Sequence, residues 1–318
     1  IPLRLVGSEM CIRDRSSAPP ATGEVTRAAA GQGVPPLSPK LQLIRAVLVL
    51  VCVLAIAMVL EAAVVSGVQH AADQGQLFNR YRAAVANGVA PIGPTDSNNR
   101  PLALGTPIAH IDIPSLDVHE VIVEGTTSGT LFSGPGHRRD TPFPGQVGWS
   151  VVFGRRAAFG GPLGDISSLK PGAVITVTTG QGEFSYQVIG VRPEGAPLPP
   201  ALAKNSSRLT LATAAGTAFM PSGVLRVDAD LQGAAVGGAT PLFTAASLPK
   251  RERELAGDSS TLWALALWLQ FLIVGAVCLV WAWNRWGKAQ AWVVFFPLLL
   301  LLGLAASGEV FRLLPNLM

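Results

Sequence analysis

Two patterns of apolar and polar positions divide this chain. Residues 43–65 (LIRAVLVLVCVLAIAMVLEAAVV), 262–283 (LWALALWLQFLIVGAVCLVWAW) and 291–307 (AWVVFFPLLLLLGLAAS) are long, almost uninterrupted apolar runs. At about 1.5 Å per residue each is long enough for a helix across a hydrocarbon core of roughly 30 Å. They predict transmembrane helices over 43–65, 262–283 and 291–311, with Pro297 tolerated as a kink. Between the first two runs the period changes. IAHIDIP, EVIVEG, GWSVVFG, VITVTT, FSYQVIGV, LTLAT and VLRVDADL are short, rich in Val, Ile, Thr and aromatics, and alternate or run apolar, as strands do. VITVTTGQGEFSYQVIGV reads as a hairpin with GQG at its tip. TSGTLFSGPGH and DISSLKPG read as one- or two-turn helices. Many short strands and few helices predict a mainly β domain, a closed barrel or a sandwich, over 105–232.

The remaining stretches connect these parts. A helical stalk (GQLFNRYRAAVANG) and a Pro/Asn-rich linker fill 66–104, and a second linker fills 233–261. Residues 16–42 are rich in Ala, Pro, Gly and Ser and are expected to be a disordered tail. The string GSEMCIRDR within 1–15 resembles translated sequencing-adaptor read-through, so 1–15 is set aside from fold reasoning. In RLTLATAAGTAFMPSGVLRV, residues 208–227, two strands are expected to flank a loop, and Arg226 interrupts the second.

Charge orients the expected helices. Lys40 and Arg45 flank the start of the first, and Arg285 and Lys288 lie in the short link between the other two. The positive-inside rule places both in the cytoplasm, the β domain outside, and the stretch LLPNLM outside too. Trp263, Trp268, Trp281, Trp283, Trp286 and Trp292 gather toward segment ends, as in an interfacial belt. A cleaved signal peptide is the alternative for 43–65, but the run is long for that and no small-x-small site follows. The mixed-sign KRERE run at 250–254 reads as a solvated juxtamembrane stretch, with lipid headgroup contact as the alternative.

Composition narrows the function. Apolar residues make up 49% and charged residues 14%, too greasy for an ordinary soluble protein. The net charge is +4, but the β domain is near neutral, which argues against nucleic acid. The three cysteines are Cys11, Cys52 and Cys278, so 105–232 contains none. That domain holds no disulfide, no cysteine metal site and no thiolate nucleophile. Its Ala, Gly and Pro richness fits a high-GC actinobacterium.

The order of IAHIDIPSLDV, TLFSGPGHRRDTPFPGQVGWSVVFGRRAAFGGPLGDISSLKPG, RLTLATAAGTAF and VLRVDADL resembles the successive blocks of a sortase, over about 107–231. The resemblance implies an eight-stranded β-barrel outside a bacterial membrane. It also implies cleavage of an LPxTG-type sorting signal and transfer to an amine. The family uses a Cys closing a TLxTC strand, a His in an AGHR block and a late Arg, which act as nucleophile, proton shuttle and charge stabiliser. TLxTC falls on 210–214 and AGHR on 153–156. The resemblance therefore assigns the nucleophile position to Ala214, the His position to Arg155 and the Arg to Arg226. A methyl group cannot attack a carbonyl, and a guanidinium does not shuttle protons near neutral pH.

Thr213 or Thr217 would need a positioned base to act as nucleophile. His137 reads as a structural hydrogen-bonder, with a site-lining role as the alternative; Ser133 lies four residues before it. His110 with Asp112, or His119 with Glu120, reads as polar surface rather than a metal site. Trp149 and Phe153 replace smaller residues of the family pattern, and either fill the groove or pack in the barrel. Arg155 and Arg156 beside Arg226 would make an anion-friendly cleft, unless Arg155 pairs with Asp140 or Asp165 or points to solvent. The groove candidates are thus Arg226, Arg155, Thr213, His137 and Trp149, with no metal and no cofactor expected. The expected protein is a multi-pass, non-catalytic sortase relative. It would either capture a sorting-signal peptide or serve as a scaffold for an envelope protein, an active sortase or lipid. A hydroxyl-dependent transpeptidase or hydrolase is the rival. An open groove beside Arg226 marks the capture module and a filled one the scaffold.

Overall fold

A computed structural model describes residues 39–318; the adaptor-like string, Cys11 and the tail up to 38 lie outside the described residues. Residues 48–318 form one compact unit, which holds everything below except the first turns of α1. Helix α1 (Pro39–Leu60) begins four residues before the apolar run, at a proline whose fixed φ suits a first helical turn. A π-helical turn (Glu61–Val65) joins it to α2 (Ser66–Ala86), so residues 48–86 are continuously helical.

The stalk does not stand apart from the barrel. Leu77 and Tyr81, one turn apart, pack on Val121 and Val123. Tyr81 donates to the Thr178 carbonyl at 2.7 Å, and Gln74 bonds both the Val121 amide (2.7 Å) and the Ser133 carbonyl (2.6 Å). The strands are β1 (Pro107–Ile113), β2 (Val118–Glu124), β3 (Gly136–His137), β4 (Gly148–Phe153), β5 (Val174–Thr179), β6 (Gly182–Arg192), β7 (Ser207–Thr217) and β8 (Met220–Leu231). They close in the order β1-β2-β3-β4-β7-β8-β6-β5. β2/β3 and β4/β7 are parallel pairs and the others antiparallel. Alternate residues such as Ile111, Ile113, Ile175, Val177, Leu209, Leu211 and Val227 point inward and fill the interior.

Two expectations change here. The eighth strand, β3, sits inside TSGTLFSGPGH, where only Thr130–Phe132 is a helical turn. Two residues are too few to show an alternation. The loop expected between Gly216 and Val224 is instead mostly strand: β7 and β8 continue as a hairpin to Thr217 and Met220. A register shift at Ala215/Gly216, with Gly216 at φ +100°, accommodates the extension.

Helices α3 (Leu262–Arg285) and α4 (Lys288–Leu313) form a hairpin. With the α1–α2 rod they make three helices long and apolar enough to cross a membrane. They meet through small surfaces: a Cβ at Gly303 would stand 3.7 Å from the Ala57 methyl and 4.0 Å from Leu272. Trp263, Leu267, Val277, Val293 and Leu301 are left exposed, which suits a hydrocarbon solvent.

Candidate functional site

Strand order gathers the three positions assigned by sequence. Phe153 on β4 is opposite Ala212 on β7, and Ala212 is opposite Arg226 on β8. The chain leaves β4 with the Gly154 amide donating to the Ala212 carbonyl at 3.0 Å. Arg155 and Arg156 therefore emerge beside Ala214, with Arg226 on the next strand. Residues far apart in sequence share one barrel end because the β4/β7 pair is parallel.

That end is filled by the chain itself. Residues 314–318, following α4, run into it. Leu317 is fully buried against Leu131, Phe153, Ala212, Ala214 and Val224. Its carbonyl accepts from the Arg156 amide (3.1 Å) and the Ala214 amide (3.4 Å). Asn316 donates from its side chain to the carbonyls of Thr126 (2.7 Å) and Arg253 (3.0 Å), and its amide donates to Ala256 (2.9 Å). The strap 250–258 lies alongside, held by Thr126 Oγ1 donating to the Glu252 carbonyl at 2.6 Å. The Asp258 amide donates to the Arg312 carbonyl at 3.0 Å. Gly257 permits this approach, because a Cβ there would collide with the Leu313 carbonyl.

Arg155 has become a clamp. It is 1% exposed, and its guanidinium donates to the Met318 main-chain oxygen (3.0 Å), the Ser128 carbonyl (3.3 Å) and Ser128 Oγ (2.7 Å). It also lies over the rings of Phe132 (4.7 Å) and Phe159 (5.3 Å), which stack at 3.8 Å. Burial pushes its pKa down to about 9, so it remains a cation at neutral pH. Asp140 belongs instead to Arg138 (2.6 Å), so neither expected carboxylate, Asp140 nor Asp165, is its partner.

The strap also corrects the reading of KRERE as solvated. Arg251 and Arg253 face out while Glu252 and Glu254 turn in. Glu252, fully buried, takes a two-pronged bond from Arg139, with Nε at 2.8 Å. Glu254 takes Arg226. The anion-friendly cleft is therefore not available: Arg226 is paired, Arg155 is caged, and Arg156 donates to the Ala214 carbonyl at 3.0 Å.

The other candidates lie elsewhere or lack partners. His137 holds Glu124 through Nδ1 (2.9 Å) and meets the Pro142 carbonyl through Nε2 (3.0 Å) behind β4, a structural position. Ser133 bonds the Thr130 carbonyl rather than His137. Trp149 sits four residues up β4 from the site, bonded to Thr210 and stacked by Arg208 at 5.6 Å. Thr213 is buried and its hydroxyl has no hydrogen-bond partner among the described residues. His119 pairs with Asp112 at 2.9 Å, which raises its pKa. Glu120 goes to His70 on α2 at 2.8 Å. Sequence reading missed Ser128, Glu252, Glu254, Asn316 and Leu317. The alternation of Glu with Arg in 251–254 was the legible signal for the strap. A hollow of about 230 Å³ that does not include Ala214 is lined by residues such as Glu61, Phe132, Phe159, Trp268, Glu309 and Arg312.

Residues 111–217 match the family model for the sortase domain. Sortase D of Bacillus subtilis is 30% identical over 79 residues, which is 25% of this chain and 38% of that protein, so the match spans well under half of the relative's length. A Clostridium perfringens sortase D5 transpeptidase structure covers 51% of this chain and 99% of its own, at 21% identity and a TM-score of 0.41. Sortase E from Streptomyces avermitilis covers 48% of this chain and 100% of its own, at 27% identity and a TM-score of 0.36. The matched residues run from within β1 to the end of β7 of the closed eight-stranded barrel, so this barrel resembles a sortase domain.

Proposed function

We propose that this protein is a membrane-anchored, non-catalytic sortase relative that serves as a scaffold or regulatory module in cell-envelope protein sorting. One observation carries the reading: the barrel end that would hold the chemistry is packed shut around a methyl group, with Leu317 seated on Ala214 and Arg155 locked between Ser128 and Met318. Covalent catalysis needs a nucleophile, a proton shuttle and an open approach. Ala214 supplies no nucleophile, the caged Arg155 no shuttle, and residues 314–318 block the approach. A hydroxyl route through Thr213 gains no support, since its hydroxyl meets no base.

The filled groove favours the scaffold over the capture module. Its natural partners are an active sortase or another envelope protein, reached through the outer barrel or the three helices. Positive residues at both inner helix ends favour an extracellular barrel and a cytoplasmic N-terminal side.

The test is a transpeptidation assay. Full-length protein in lipid nanodiscs is given a labelled LPxTG-type peptide and an amine acceptor beside an active sortase. The expected result is no product and no binding that depends on Arg226, compared with Arg226→Ala. Product formation abolished by Thr213→Val would overturn the reading in favour of the hydroxyl enzyme. Arg226-dependent binding without product would favour capture.

A further inference from the structure

We infer that residues Leu314–Met318 are a tethered pseudosubstrate: they occupy the barrel's peptide groove as a bound ligand, with the Leu317 carbonyl where an attacked carbonyl would lie. This deepens the non-catalytic reading and rests on it.

The register is set by hydrogen bonds. Two main-chain amides, Arg156 at 3.1 Å and Ala214 at 3.4 Å, converge on the single Leu317 carbonyl. Paired amides on one carbonyl oxygen are the arrangement that polarises an acyl group for attack. Here one amide belongs to the residue whose side chain would make that attack. The peptide bond following Leu317 is thus presented to position 214, where a methyl stands.

The segment is also gripped on both sides of that bond, as a ligand is. Leu317 fills an apolar pocket made by β4, β7, β8 and Leu131. Before it, Asn316 donates to Thr126 and Arg253. After it, Met318 is held by Arg155. Ordinary packing of a helix end needs none of this convergence. The cation at 155, which removes the proton shuttle, supplies one of the contacts that retain the ligand. The segment begins Leu314-Pro315, like the signal that the family resemblance names, although the register stands without that likeness.

Cover and ligand character are tested in the full-length chain in nanodiscs, with Cys11, Cys52 and Cys278 replaced by Ala and Ala214→Cys as a thiol reporter. Maleimide labelling of position 214 should be slow, because reaction waits on local opening of the segment. Adding Leu317→Asp should eject the segment and speed labelling about tenfold or more, since a charge in that pocket has no partner. The peptide LLPNLM, added at millimolar concentration to the double variant, should slow labelling again, and a scrambled peptide should not. Circular dichroism melting of the β signal checks that the barrel is intact. If the melt is lost in Leu317→Asp, Leu317→Gly is used instead. Equal labelling rates with and without the substitution would overturn the cover. Protection absent, or equal for both peptides, would overturn the ligand assignment. Neither readout depends on turnover, so failure here leaves the transpeptidation result standing, and the converse.

Discussion

Replacing Arg155 with Ala should loosen the joint between the barrel and the segment that follows the last apolar helix, α4. The side chain makes three hydrogen bonds, of 3.0, 3.3 and 2.7 Å, and covers two aromatic rings. Bonds from a charged donor contribute about 1.5–3 kcal/mol each. Cation–π contacts add about 0.5–2 kcal/mol each. Against this stands the cost of burying a guanidinium, several kcal/mol. Alanine removes that cost along with the bonds, but leaves the Ser128 and Met318 oxygens short of donors, at about 1–3 kcal/mol each. We expect a net loss of about 3 kcal/mol, or a melting point roughly 6–12 °C lower for a unit of this size. Arg155→Lys, which keeps charge but not the planar fork, should fall between. The assay is thermal melting in detergent followed by tryptophan emission. An Arg155→Ala melt within about 1 °C of the parent would refute the clamp, because surface substitutions behave that way.

Other outcomes follow from the same geometry. Glu252→Gln should destabilise by about 3 kcal/mol, since it leaves the Arg139 cation poorly paired under the strap; a double-mutant cycle with Arg139→Met should recover most of that loss in denaturant titrations. Leu317→Ala should lower stability by about 2–4 kcal/mol through the cavity it leaves, read in the same melt. Ala214→Cys alone should remain inactive in the transpeptidation assay, because residues 314–318 cover position 214 and the caged Arg155 supplies no proton to a leaving amine. His119 should titrate above its ordinary value through Asp112, and His110 below it through burial, as followed by NMR. The His119 contribution to stability is present at low pH and lost as pH rises through its folded value; that of His110 has the opposite sign. Asp112→Asn should return the His119 midpoint toward normal.

Much was legible along the chain because its cause is local. Long apolar runs meet the length rule for membrane helices, and period-two stretches pair as strands. Seven of the eight strands, the GQG hairpin tip and the helical stalk follow from such patterns. The absence of a thiol at position 214 is also a matter of sequence alone, as is the cation at 155.

Tertiary structure decided what surrounds those two positions. Nothing in a linear pattern tells that Arg155 faces Met318, 163 positions away, or that Glu252 and Glu254 turn in to meet Arg139 and Arg226. Those pairings depend on a parallel β4/β7 contact and on α4 delivering residues 314–318 to the same barrel end. A buried charge takes whatever partner the fold brings within reach, because leaving it unpaired costs more than any local preference. Local propensity and hydrophobic period therefore specified the elements. Long-range burial decided that the site is occupied.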